Sequence, residues 1–164
     1  MVRIGREELL RRYAAGERNF TGIQLEGDLD GIDLSGADLS GNRLEEFFLE
    51  RAILRQANLR KARFTDACLD SADLTGADLR ECSLRWTRLR CANLTEADLR
   101  GARFDETSFN RANLTRANLT GVDLRDSILR EANLTGAILE GANLKKAFFS
   151  NTIMPDGSIR TSNT

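Results

Sequence analysis

The sequence predicts an all-β solenoid closed at its N-terminal end by a short helix. Three observations predict it: apolar residues recur at every fifth position from Leu29 to Met154, a small residue stands two places before most of them, and exceptions to the pattern recur at multiples of twenty. An internal repeat of this kind decides the architecture before local propensities do.

The period comes first. Of the 26 fifth positions between 29 and 154, 21 are Leu, and the others are Phe64, Phe104, Phe109, Phe149 and Met154. Ala stands two residues earlier in 16 cases, and the residue directly before the centre is Asp or Asn in 13. In a helix, five steps of about 100° advance the chain by about 140°, which would spread the leucines over every side. In a flat strand, odd spacing would send successive leucines to opposite faces. A chain that turns after every five residues instead returns each centre to a common axis, and Ala fits the tight second inward position.

The exceptions count the sides of a coil. The inward Ala is replaced at Phe47, Thr87, Thr107 and Ser127, separated by multiples of twenty, and at Cys82 and Val122, forty apart. Thr75, Thr95, Thr115 and Thr135 repeat at twenty, as do Asn93, Asn113 and Asn133. Twenty residues make four sides of five. Residues 29–154 then form just over six coils, a rod of roughly 30 Å at about 4.8 Å per coil.

Three segments follow from this frame. Residues 1–26 form an N-terminal cap with a helix over about 6–15, in which Leu9, Leu10, Tyr13 and Ala14 share one side. Glu7–Arg11 and Glu8–Arg12 are spaced as helical ion pairs, and Gly16 suits the left-handed residue after a helix end. Residues 27–154 are the repeat shaft. Leu25 and Leu29 are only four apart, so the first coil is irregular, and Phe47 with Phe48 predicts a bulge in the stretch 44–53. Pro155 ends the repeat, and 155–164 form a turn and tail.

Composition excludes several functions. There are 24 basic and 25 acidic residues, giving a net charge of −1, and no histidine. That is neither a polybasic nucleic-acid binder nor a chain with the commonest general base and metal ligand. Cys68, Cys82 and Cys91 have no metal-motif spacing, so free thiols and no metal or cofactor are expected. The charged start and the lack of an apolar run near 20 residues predict a cytoplasmic chain with no membrane span.

The stretches ANLTEADLRGARF and ANLTRANLTGVDL resemble the A(D/N)LXX signature of the pentapeptide-repeat family. The resemblance covers about 27–154 and implies a right-handed quadrilateral β-helix. The N-terminal segment and the closing TIMPDGSIRTSN are similar to cyanobacterial members. The family has no common activity, so the resemblance fixes a fold and leaves function open.

With the core filled by leucines and no evident cleft, the expected function is a non-enzymatic scaffold that binds another macromolecule, a protein in the first instance. The alternative that the family implies is mimicry of duplex DNA towards a type II topoisomerase, as gyrase protection or inhibition. Balanced charge argues against it, since such mimics resemble strongly acidic rods. Candidate partner surfaces are the row Arg60, Arg80 and Arg100, next to Asp38, Asp78 and Asp98, and the outward Trp86, in a row with Asp66, Glu106 and Asp126. The arginine and aspartate rows are of opposite sign and compensate each other, so a solvated face of weak ion pairs is expected there, with a docking strip for an acidic partner as the alternative. At the C-terminal end Ile128, Ile138, Phe148 and Ile153 ring the rod with apolar surface. Two devices would cover it: a homodimer joined end to end, or the tail folding back through Ile159.

Overall fold

The structure is a computed structural model that describes residues 2–161. Its shaft consists of parallel single-residue bridges twenty apart, running from Asp33↔Ile53 to Asn133↔Ile153. Four sides per coil are therefore observed directly. The bridging residue is the one before each apolar centre. From Ile53 to Ile153 every such residue except Asp123 makes the same two bonds to the coil before it. Asn58, for example, donates its N–H to Ala37 O (2.9 Å) and accepts from Leu39 N (2.8 Å). Leu centres and Ala corners fill the inside, and nearly all of them are buried.

Most corners are four-residue turns closed by a bond such as Ala97 N–H to Leu94 O (3.0 Å). The third corner residue has positive φ at every fifth position from Gly31 to Asn151, in eight glycines and seventeen other residues. None of the seventeen is Val, Ile or Thr. Branching at Cβ makes the left-handed region a true outlier, whereas unbranched residues tolerate it at moderate strain.

The cap contains the expected helix, α1 (Arg6–Ala14), preceded by a strand that the sequence reading missed, β1 (Arg3–Gly5). β1 pairs in parallel with β2 (Gln24–Glu26) and buries Ile4. The fivefold pattern starts only after β2, so nothing in it marks a strand at residue 3. Leu9 is fully buried, and Leu10 and Tyr13 pack against the core, but Ala14 is exposed. The ion pairs also differ from the expected ones: Arg11 meets Glu8 (2.7 Å), and Arg12 meets Glu17 beyond the helix. Gly16, at φ +93°, follows the helix end as expected. Tyr13 Oη donates to Ser35 O (2.8 Å) and Arg6 to Asp30 O (2.9 Å), fastening the cap to the first coil.

The irregular first coil is present. Asn19 lies opposite Asp38, nineteen residues away rather than twenty. The polar inward residues register the same slip. Cys82 Sγ, Thr87 Oγ1, Thr107 Oγ1 and Thr152 Oγ1 each donate to the carbonyl 23 residues earlier, at 2.6–2.8 Å. Asn42 Nδ2 reaches Phe20 O, 22 residues earlier, at 3.0 Å. The stretch 44–53 shows no bulge towards the following coil, since Arg43↔Arg63 and Phe48↔Cys68 keep register. The disturbance lies on the other side, where Arg43 has no bridge to the first coil.

Phe104 and Phe109 are adjacent centres of one coil, and their rings meet edge to face at 5.4 Å. Two phenylalanines need more room than two leucines. Above them Asp123 lacks both ladder bonds, and Ser127 Oγ is buried without a partner among the described residues.

At the far end β3 (Thr152–Ile153) pairs antiparallel with β4 (Ile159–Arg160). The tail thus folds back, placing Ile159 opposite Ile153 and the Arg160 guanidinium 3.9 Å from the ring centre of the buried Phe149. Residues 162–164 of the expected tail lie outside the described residues. Leu139, Ala142 and Leu144, on the two sides that β4 does not reach, are only partly buried.

Candidate functional site

The arginine row is internally neutralised. Arg60 donates to Glu81 Oε1 through Nε (3.0 Å) and Nη2 (2.5 Å). Arg80 grips Asp78 at 2.8 and 2.5 Å, and Arg100 grips Asp98 at 2.9 and 2.7 Å. These contacts hold the Asp78 and Asp98 carboxyls below the usual carboxylate range. The row presents a lattice of paired ions, each worth little at a wet surface. An acidic partner would have to displace those carboxylates.

Trp86 is different. It occupies a corner position at φ +57° and is 45% exposed. Arg85 lies over its ring at 5.2 Å and is itself anchored to Asp105 at 3.0 Å. The same corner carries Glu46, Asp66, Glu106 and Asp126, all with positive φ. None of the four has an ion-pair partner among the described residues, whereas Asp73, Asp78, Asp98, Asp105 and Asp123 all do. Carboxylates with no ion-pair partner among the described residues therefore flank the exposed indole in a single row, which ends beyond Asp126 in Lys146. The sequence reading placed three of these acids beside Trp86 and missed Glu46, because it lies next to the Phe47 exception.

One side-chain cluster has metal-ligand types. Glu50, Cys68 and Asp70 bring one donor atom each within 4.8 Å of one another. Cys68 Sγ donates to Glu50 Oε1 (3.2 Å), and Arg90 holds Asp70 with two contacts at 2.5 and 2.9 Å. Arg88 approaches both carboxylates, at 3.6 and 3.7 Å. Two arginines thus balance the two acids. Burial pushes the Cys68 thiol up, which keeps it protonated. Burial also pushes Cys82 up strongly, while Cys91 is exposed. All three cysteines are free.

On the side facing Asp73 the polar rows form a ladder. Asn93 Nδ2 donates to Thr75 Oγ1 and Asn113 Nδ2 to Thr95 Oγ1, both at 2.9 Å. Thr95 and Thr115 in turn donate through their hydroxyls to the Asn of their own side, and Thr75 to Asp73, each at 2.6 Å. These groups satisfy one another. At the C-terminal end Ile138 and Phe148 are exposed, Ile128 borders on exposed, and Ile153 is half-buried by β4.

A quadrilateral β-solenoid of five-residue repeats with a decorated surface is the class of protein that this geometry defines. The profile for pentapeptide repeats matches in eight copies, including residues 19–56, 32–70, 67–105, 77–116, 92–130 and 117–154. The chain belongs to the pentapeptide-repeat family. It is similar to HetL, a pentapeptide repeat protein involved in heterocyst differentiation regulation in the cyanobacterium Nostoc, at 31% identity over 96% of this chain and 100% of that one, with a TM-score of 0.29. The plasmid-mediated fluoroquinolone resistance protein QnrB1 shares the fold at a TM-score of 0.63, with 15% identity over 99% and 89% of the two chains. A pentapeptide repeat protein of the Arabidopsis thaliana thylakoid lumen is 42% identical over 60% of this chain and 72% of that one, with a TM-score of 0.31. A search of curated proteins finds no match.

Proposed function

We propose that the chain is a non-enzymatic scaffold that binds a protein partner through the corner carrying Trp86, and that the partner offers a basic surface. The observation that carries this reading is the row Glu46, Asp66, Glu106 and Asp126, without ion-pair partners among the described residues, around an exposed indole. Tryptophan is the side chain most often found anchoring interfaces, and unpaired charges steer the complementary partner. The inward positions are filled by packing, and the buried thiols are held protonated. That leaves recognition rather than chemistry.

Quantitative capture from the native cell tests it, with wild type and Trp86→Ala as parallel baits. A partner retained by wild type and depleted at least tenfold on the variant supports the corner. A partner set unchanged by Trp86→Ala removes it.

The fold shared with QnrB1 keeps the DNA-mimic reading as the rival. A mimic needs negative charge over a whole face, and here one acidic row runs beside rows of paired arginines. Gyrase supercoiling should therefore be unaffected by excess protein.

At the C-terminal end we propose a homodimer through the two sides that β4 leaves open, where Ile138, Leu139 and Leu144 lie, with Phe148 at the rim. Light scattering should then show a dimer for wild type and a monomer for Ile138→Asp, while Phe48→Asp stays dimeric. A monomeric wild type at high micromolar concentration would show that the folded-back tail suffices as a cap.

A further inference from the structure

The first and second coils part on one side. Arg43 sits in the middle of that side, and among the described residues neither its N–H nor its C=O bonds to main chain in the coil beneath. Asp123 also lacks both bonds, yet Arg103 still lies opposite it in register. Among the described residues nothing is bridged to Arg43 from the coil beneath, where β2 pairs with β1 along its lower edge and leaves its upper edge open. Two sequence features open the gap. The first coil is one residue short, and Phe47 stands at a corner where 16 of the 26 repeats have Ala.

The gap is a groove of about 730 Å³, within the range of pockets that hold small ligands. Ile23, Gln24 and Leu25 form one wall, and Arg43, Glu46 and Phe47 the other. Asn42 also lines it, only 2% exposed. Its Nδ2 is used on Phe20 O, but its Oδ1 has no partner among the described residues. A buried amide oxygen without a donor is costly, and a bound donor would relieve it. Glu45 is compensated by Arg63 at 2.7 Å and Arg43 at 3.5 Å. Glu46 and Asp66, at the mouth, are not ion-paired among the described residues.

We propose that this groove binds an extended peptide segment of another protein, entering as an added strand beside Arg43 and carrying a basic side chain next to an apolar one. The segment's C=O accepts the Arg43 N–H and its N–H donates to the Arg43 C=O, replacing the two bonds that the coil beneath does not make. Strand addition to an open main-chain edge supplies affinity in this way, and alternate side chains supply selectivity. The apolar side chain meets Ile23 and Phe47, the basic one meets Glu46 and Asp66, and Asn42 Oδ1 offers an acceptor at the floor. This site shares Glu46 and Asp66 with the acidic row but does not include Trp86, so Trp86→Ala tests the two readings separately.

The probe is fluorescein-labelled Lys-Val-Lys-Leu-Lys-Val with blocked ends, titrated against the full chain by anisotropy, alongside the same peptide with Glu for Lys. The lysine peptide should bind, and the glutamate peptide at least tenfold more weakly. Glu46→Lys should weaken binding at least tenfold. Phe47→Ala restores the usual corner residue, so it should close the groove and abolish binding while the urea midpoint holds or rises. In the saturated complex the Arg43 amide should exchange at least tenfold more slowly. Trp86→Ala should bind within twofold of wild type. Binding that survives both Glu46→Lys and Phe47→Ala, loss of binding in Trp86→Ala, an Arg43 amide whose exchange does not change, or no binding at millimolar peptide would each overturn the proposal.

Discussion

Replacing Gly101 tests the rule that governs every corner of the shaft. Gly101 has φ +71°, and a Cβ built there would lie 3.5 Å from Glu81 Cγ and 3.8 Å from Glu81 N, which is contact without a clash. Space therefore drops out, and the backbone conformation decides. Forcing an L side chain into the left-handed region costs about 1–2 kcal/mol. The more restricted unfolded chain returns about 0.4–1 kcal/mol. Gly101→Ala should therefore destabilise by about 1 kcal/mol, Gly101→Asn by less, and Gly101→Val by more than either, because the β-branch adds its own clash. Glu96 is the converse case, with φ +59° in a non-glycine. Glu96→Gly removes about 1–2 kcal/mol of strain against about 0.4–1 kcal/mol of added unfolded-state entropy, so it should be neutral to stabilising by about 1 kcal/mol. Urea melts followed by circular dichroism rank the four variants. If Gly101→Ala and Gly101→Val were both neutral, or if Glu96→Gly cost more than Gly101→Val, backbone strain would not be what selects the corner residues.

Ala97 and Leu99 are fully buried, and Thr95 lies on the outer ladder. Ala97→Leu should destabilise by about 1–3 kcal/mol through overpacking, Leu99→Asp by more through a buried unpaired charge, and Thr95→Ser least of the three. A urea series ranking Thr95→Ser worst would contradict the register. Thiol titration under native conditions should modify Cys91 quickly and Cys82 only after unfolding, since burial raises the Cys82 pKa and keeps its thiol out of reach. Equal rates would show that the shaft opens. Arg80 and Arg100 hold Asp78 and Asp98 below the usual range, and at Asp70 the Arg90 contacts outweigh the burial that would raise it. Groups depressed on folding lend stability above the unfolded carboxylate pKa of about 4 and lose it below. The urea midpoint should thus hold from pH 7 to 5 and fall by pH 3. A maximum at pH 3 would mean that these pairs contribute nothing.

The shaft was legible because its physics repeats. Leu29 to Met154 announce the axis, and the spacing of Thr87, Thr107 and Ser127 announces four sides, since a misfit recurs only where a column returns. The slip near Leu25 was visible for the same reason. The corner rule was equally present, in the absence of Val, Ile and Thr from every fifth position between Gly31 and Asn151, but it is an exclusion and easily passed over beside the leucines. β1 carries no period and could not be found that way. The groove was half visible: Phe47 signalled a disturbance, but the side on which it would fall depends on the short coil beneath. That the arginine and aspartate rows compensate each other was legible, and Arg80–Asp78 and Arg100–Asp98 bear it out, but the individual pairings were not. Arg60 chooses Glu81 across the coil while Arg80 chooses Asp78 two residues away, a choice of rotamer that spacing does not encode.

The ladder spacing also bears on how quickly the chain finds its fold. An all-β protein ordinarily joins strands distant in sequence, and loop closure makes such proteins slow to fold. Here nearly every bond between coils links residues about twenty apart, whatever the length of the rod. Dividing twenty by the 164 residues of the chain gives a relative contact order of about 0.12, at the border between helical bundles and mixed domains and well below β-sandwiches. Adding a coil lengthens the rod without lengthening any loop that must close. Folding can thus start at whichever pair of coils meets first and spread in both directions, with Leu centres and Ala corners offering the same reward at each step.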